Sequence, residues 1–100
     1  MNMSISTQTT SHTTTHSSTH TQAAIDLAKQ VGVSMFAVDT ATKDTMGMEL
    51  LSCEPGRAVI RMEVKELHLN GHKICHGGFI FTLADSTFAF ACNSYNKVAV

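Results

Sequence analysis

The stretch HKICHGGFIFTLADSTFAFACNS, His72–Ser94, decides the fold. From Phe79 onward it is almost wholly apolar, yet a carboxylate, Asp85, stands in its middle. At 100° per residue, Thr82, Asp85, Ser86, Ala89 and Asn93 fall within one helical arc of roughly 100°, with Phe79 just beyond its edge. Ile80, Phe81, Leu83, Ala84, Phe88, Phe90, Ala91 and Cys92 cover most of the remainder. A helix that is apolar over most of its circumference is surrounded by protein. The pattern predicts a helix from about Gly77 to Ser94, wrapped by a sheet, whose narrow polar seam faces a cavity or another subunit.

Two readings of Asp85 follow. It is a structural acid, hydrogen-bonded to a buried donor or paired with Arg57 or Arg61, or it is a functional one. A buried ionised group costs several kcal/mol unless compensated, and function is a common reason to keep one. The residues before the helix bear on the choice. His76-Gly77-Gly78 places two glycines at its start. Glycine permits close approach of a ligand to the backbone. The first N–H groups of a helix lack intrahelical partners and carry the positive end of its dipole. They suit an anion, or a carbonyl oxygen that becomes one. Asp85 lies eight residues beyond Gly77, about 12 Å along the axis. One helix does not bring both groups onto one reacting carbon, so cooperation requires two copies of the chain and an interfacial site.

Upstream, GMELLSCE, PG and RAVIRMEVKE read as strand, turn and strand. Pro55-Gly56 supplies the turn. Ala58, Ile60, Met62 and Val64 alternate with a mostly charged row, the mark of an antiparallel strand with one wet face. Between hairpin and helix lies a loop with Asn70-Gly71 as a turn signal. Ala23 to about Met46 is helical material: Ala24, Leu27, Ala28 and Val31 recur at helical spacing. Gly32 suggests an interruption, a second helical piece runs from about Met35 to Met46, and Gly47 is placed to end it. Lys97-Val98-Ala99-Val100 reads as the start of another strand.

Residues 1–22 are Ser/Thr-rich with interspersed His, and read as a disordered tail. His12, His16 and His20 recur every four residues, a metal-ligand spacing on a helix face. Against that, Ser/Thr-rich sequence forms helices poorly, which favours a solvated tail.

One hundred residues allow one domain at most. A net charge of −1 and the absence of a Lys/Arg cluster point away from nucleic acid and anionic membrane surfaces. No run approaches the ~20 apolar residues of a membrane span. No secretory signal pattern opens the chain, and a transit peptide is disfavoured because the first 56 residues lack Arg. Cys53, Cys75 and Cys92 form no CxxC pair, as expected of reduced thiols in a cytoplasmic protein.

LNGHKICHGGFIFTLADSTFAFACNS, with GMELLSCEPGRAVIRMEVKELHLNGH before it, closely resembles hotdog-fold acyl-CoA thioesterases of the PaaI type, known from phenylacetate degradation. The resemblance covers about residues 23–100. It rests on N-G-x-x-x-x-H-G-G followed by L-A-D at the head of a long apolar helix after two strands. It implies an α+β hotdog fold, an antiparallel sheet wrapped around a long central helix, assembled as a homodimer or homotetramer. The implied reaction is hydrolysis of phenylacetyl-CoA or hydroxylated relatives to free acid and coenzyme A, without metal or redox cofactor. By motif position, Asp85 would be nucleophile or general base, and the Gly77 N–H would polarise the thioester carbonyl. Asn70 and His76 would orient substrate or water. Gly78 would lie against substrate, and Thr82 and Ser86, neighbours of Asp85 on the seam, would hold the attacking water.

Two sharper alternatives are weaker. His76 as base for the Cys75 thiol asks sequence neighbours to face one another. A metal trio of His68, His72 and His76 asks for a helix that Asn70-Gly71 breaks. Family domains continue with roughly three more strands, so residues 23–100 correspond to the N-terminal part of the domain. A chain truncated after the central helix is expected to expose apolar surface and to be poorly stable or aggregate. A non-catalytic hotdog module that binds acyl thioesters or only assembles is the second functional reading. A dehydratase of the same fold is the third, but its His/Asp or His/Glu helix motif is not seen.

Overall fold

A computed structural model describes residues 2–8 and 19–96. Three antiparallel strands form one sheet in the order β1-β3-β2: β1 is Asn2–Gln8, β2 Met48–Glu54 and β3 Arg57–Glu63. Two helices, α1 (Gln22–Val38) and α2 (Gly77–Asn93), pack on one face. Among the described residues no helix is long and apolar enough to cross a membrane.

The hairpin is as its periodicity predicts. Ala58, Ile60 and Met62 are fully buried beneath the helices, while Arg57, Val59, Arg61 and Glu63 line the other face. Gly56 takes φ +73°, the left-handed turn conformation that favours glycine. Strand β2 contains a bulge that its sequence does not announce. Leu50 pairs with Ile60 and Ser52 with Val59, so Leu51 is the extra residue. The extra residue shifts the alternation by one place. Met48 and Leu50 before it and Cys53 after it can then all face the helices, opposite Met62, Ile60 and Ala58.

The reading of residues 1–22 as a tail without structure is corrected for Asn2–Gln8. This segment pairs with β3 in unbroken register, Met3 opposite Met62 and Ile5 opposite Ile60. Both side chains pack against the core, while Asn2, Ser4 and Ser6 face solvent. The physical reason is a partner distant in sequence: seven residues of modest hydropathy become a strand because β3 offers a free edge. His12 and His16 lie outside the described residues; His20 is exposed. The strand expected at Lys97–Val100 also lies outside them.

Helix α1 begins at Thr21, whose Oγ1 accepts from the Ala24 N–H (3.1 Å). It runs unbroken through Gly32 to Val38, correcting the expected interruption. Gly32 is there for space: a Cβ on it would lie 2.6 Å from the Cys53 Cβ. In place of a second helical piece from Met35, Asp39 closes α1 and opens a π-helical turn, Ala41–Thr45. Its Oδ1 accepts from the Thr42 N–H (3.1 Å). Gly47 then takes φ +67°, as its predicted place at the end of a helical segment requires.

Helix α2 turns Leu83, Thr87, Phe90 and Ala91 onto the sheet. Its far end is tied to the hairpin turn through Ser94, whose Oγ accepts from the Gly56 N–H (2.7 Å) and donates to the Ala91 carbonyl (2.6 Å). The three strands cover one face of α2. On the opposite face Phe81 is 73 % exposed and Phe88 52 %.

Candidate active site

The loop before α2 sets where the helix begins and places His76 at its head. After β3 a 3₁₀ turn, Glu66–His68, leads into a bridge between Leu69 and Cys75. Asn70 organises the excursion between them. Its Oδ1 accepts from the N–H groups of His72 (2.8 Å) and Ile74 (3.1 Å), and its backbone N–H donates to the Ile74 carbonyl (2.7 Å). This is the competition of an Asn side chain for local backbone groups that makes Asn a turn residue. The side-chain carbonyl of Asn70 is therefore committed to the loop, and only its amide NH2 remains to meet a ligand. The loop returns when the His76 N–H donates to the His68 carbonyl (2.8 Å).

His76 is the residue before the first turn of α2, and its side chain does not cap the helix. The N–H groups of Phe79 and Ile80 reach its carbonyl. The Gly77 and Gly78 N–H groups precede the first intrahelical bonds and have no acceptor among the described residues. A Cβ built on either glycine would meet nothing within 4 Å. The chain's own packing thus does not demand glycine here; what the glycines provide is open access to the backbone. Beside them lies a groove of about 410 Å³ lined by Met46, His76, Gly78, Phe79 and Thr82. The Thr82 Oγ1 donates to the Gly78 carbonyl (2.9 Å), four residues back.

Asp85 stands apart. It is exposed, and by helical geometry it lies about 180° from buried Leu83, on the face of α2 turned away from its own sheet. The pairing with Arg57 or Arg61 that a structural acid would use does not occur. Arg57 meets Glu54 (3.2 Å), and Arg61 reaches across the hairpin to Glu49 (3.0 Å). Asp85 and Gly78 are seven residues apart, hence nearly in line on the outward face but about 10 Å apart along the axis. One chain therefore brings together His76, Gly78 and Thr82, with Gly77 beside them, and leaves Asp85, Ser86 and Asn70 outside the groove.

Neither histidine alternative is supported by the geometry. The Cys75 thiol is buried and directed at the His76 carbonyl (3.6 Å) rather than at its ring. His68 is buried, while His72 and His76 are exposed. Phe79 and Met46, which the sequence reading did not single out for the site, supply the apolar wall. Phe79 was visible only as a residue at the seam's edge. Met46 comes from the far end of the preceding helical segment, which periodicity alone does not bring to α2.

Comparison with known proteins follows the same outline. No family model matches the chain. It is 45 % identical over 67 residues to the acyl-coenzyme A thioesterase PaaI of Escherichia coli strain K12, a match that covers 67 % of this chain and 47 % of that protein. A putative esterase of Archaeoglobus fulgidus is 44 % identical over 57 residues, 57 % of this chain and 37 % of its own length. Among solved structures, the E. coli PaaI protein from the phenylacetic acid degradation operon superposes with a TM-score of 0.68 at 42 % identity. That superposition covers 72 % of this chain and 51 % of the other. The chain spans about half the length, or less, of these relatives.

Proposed function

From its kinship with the PaaI-type hotdog thioesterases, we propose that this chain hydrolyses acyl-CoA thioesters, taking phenylacetyl-CoA and its hydroxylated relatives to free acid and coenzyme A. The observation that carries this reading is the pairing of two open features on α2. Among the described residues, the glycine N-terminus presents unpartnered N–H groups at an apolar groove, and Asp85 presents an unpaired carboxylate on the uncovered face.

The thioester carbonyl oxygen accepts from the Gly77 and Gly78 N–H groups, which stabilise the charge it gains. The acyl group lies in the groove against Phe79 and Met46. His76, which lines the groove, orients substrate or water, and the Asn70 amide, in the loop that leads to His76, takes the same role. Asp85 from a second copy of the chain completes the site, with that copy's own Thr82 and Ser86 beside it to hold the attacking water. Acting as general base, the carboxylate takes a proton from water as the oxygen bonds to the acyl carbon. The C–S bond then breaks and the proton passes to the coenzyme A thiolate. Acting as nucleophile, it first forms a mixed anhydride that water hydrolyses to the same products. A thioester is already electrophilic and thiolate leaves readily, so the chemistry calls for no metal or redox cofactor. The reading entails a homodimer or homotetramer in the cytoplasm, without nucleic acid or membrane partners.

The test is release of free thiol from phenylacetyl-CoA by the chain and by its Asp85→Asn variant. Loss of about 10²-fold or more in kcat with circular dichroism unchanged supports the reading. Equal turnover in the two proteins removes Asp85 from the chemistry. Binding without turnover in either supports the acyl-thioester-binding module.

A further inference from the structure

His68 is a buried ionisable side chain that the proposed chemistry does not use, and its surroundings are specific. It is 1 % exposed. Its Nδ1 accepts from the Lys65 N–H (2.9 Å), so in the neutral ring the proton sits on Nε2. Nε2 is buried and has no hydrogen-bond partner among the described residues. Leucine or phenylalanine would fill the same space without burying an unpaired donor. What neither would supply is the Nδ1 anchor, which fixes the angle at which the ring stands.

The ring so fixed meets Phe79. The two centroids are 4.8 Å apart and the planes inclined at 61°, an edge-to-face contact. The same Phe79 ring lies 6.5 Å from the His76 ring at 70°. Phe79 thus meets two imidazoles edge to face, one buried and anchored, the other exposed at the groove. The His68 carbonyl also receives the His76 N–H, which sets where α2 begins. One residue therefore holds both the apolar wall of the groove and the backbone at its mouth.

We propose that His68 is a positioning residue for this groove. Through its anchored ring it fixes Phe79 in the orientation that receives a flat, apolar acyl group, and so it sets preference for aryl over small acyl thioesters. The assignment of substrate class rests on the hydrolase reading above; the assignment of His68 to Phe79 does not.

The experiment uses the whole chain with His68→Asn, Phe79→Leu and the double variant. Asparagine keeps an acceptor near the Nδ1 position for the Lys65 N–H while removing the ring from Phe79. Expected for His68→Asn is a rise of about tenfold in KM for phenylacetyl-CoA, with kcat and the kinetics on acetyl-CoA little changed. In the Phe79→Leu background the same substitution should add nothing further, because its route of action is gone. Equal effects in both backgrounds, or a fall in kcat with both substrates, overturn the proposal. The second readout does not depend on activity. With ring-labelled phenylalanine, the resonances lost in Phe79→Leu identify Phe79, and they should shift or broaden in His68→Asn. If they stay in place, His68 does not position Phe79, whatever the kinetics. If the unaltered chain shows no turnover, the hydrolase reading fails by itself and the Phe79 resonances decide this one.

Discussion

Replacing Gly32 by alanine puts the packing of α1 on β2 to a direct test. In an isolated helix the change is favourable by about 1 kcal/mol. Here the new Cβ would lie 2.6 Å from the Cys53 Cβ, 3.0 Å from its Sγ and 3.3 Å from the Leu50 Cδ2. Carbon atoms rest at about 3.5–4.0 Å, so the two elements must part by about 1 Å. The Cys53 Cβ is fixed to the strand backbone and cannot swing aside. Moving α1 instead disturbs fully buried Ala28 and the contact of Phe36 with Phe90, whose rings are 6.2 Å apart. Overpacking of this kind costs about 1–3 kcal/mol. Taking the upper part of that range and subtracting the helix gain leaves a net loss of about 1–2 kcal/mol. Urea unfolding followed by far-ultraviolet circular dichroism should show a lower midpoint at unchanged slope. Gly71→Ala is the control, since nothing lies within 4 Å of its Cβ; it should stay within about 0.5 kcal/mol. A Gly32→Ala protein as stable as the parent, or more so, would show that α1 does not seat on β2 at this distance.

Ser94→Ala removes a hydroxyl that accepts from the Gly56 N–H and donates to the Ala91 carbonyl, and should cost about 0.5–1.5 kcal/mol in the same urea assay; an unchanged midpoint would mean that the turn and the end of α2 are not coupled. Phe81→Ser and Phe88→Ser, on the exposed face of α2, should leave the unfolding midpoint nearly in place while lowering the mass measured by light scattering; an unchanged mass would remove that face from self-association. Burial, with a smaller contribution from the Glu54 carboxylate, holds the Cys53 thiol above its ordinary value. Because the folded state keeps that proton longer, stability present below the unfolded thiol value should decline as pH rises through it toward the folded one. Urea midpoints measured across that range should fall, and the fall should be smaller in Cys53→Ala.

How much of this was legible in the sequence depends on how local each cause is. The β2-β3 hairpin was readable because alternation and Pro55-Gly56 are both local signals. So was the head of α2, where His76-Gly77-Gly78 precedes an apolar run. The bulge at Leu51 was not, because it appears only when two strands are laid in register. Strand β1 was misread for the same reason: Ser and Thr between Met3 and Ile5 say little until β3 stands alongside. Gly32 looked like a break because a glycine's usual signal is conformational, whereas here its value lies in the atom it lacks. At the site, the motif residues were visible and the wall was not. Met46 and His68 come from two separate segments that only tertiary packing brings to Phe79 at the head of α2.

The pairing of β1 with β3 also sets a timetable. Ile5 is made 55 residues before its partner Ile60. At about 5–20 residues per second, the first strand waits roughly 3–11 s on the ribosome before its edge exists. During that interval a more apolar strand would be free to pair with whatever it met. NMSISTQ carries only two large apolar side chains in seven residues. The sparse hydropathy that hides this strand from a sequence reader also lets it stay dissolved until β3 has been made.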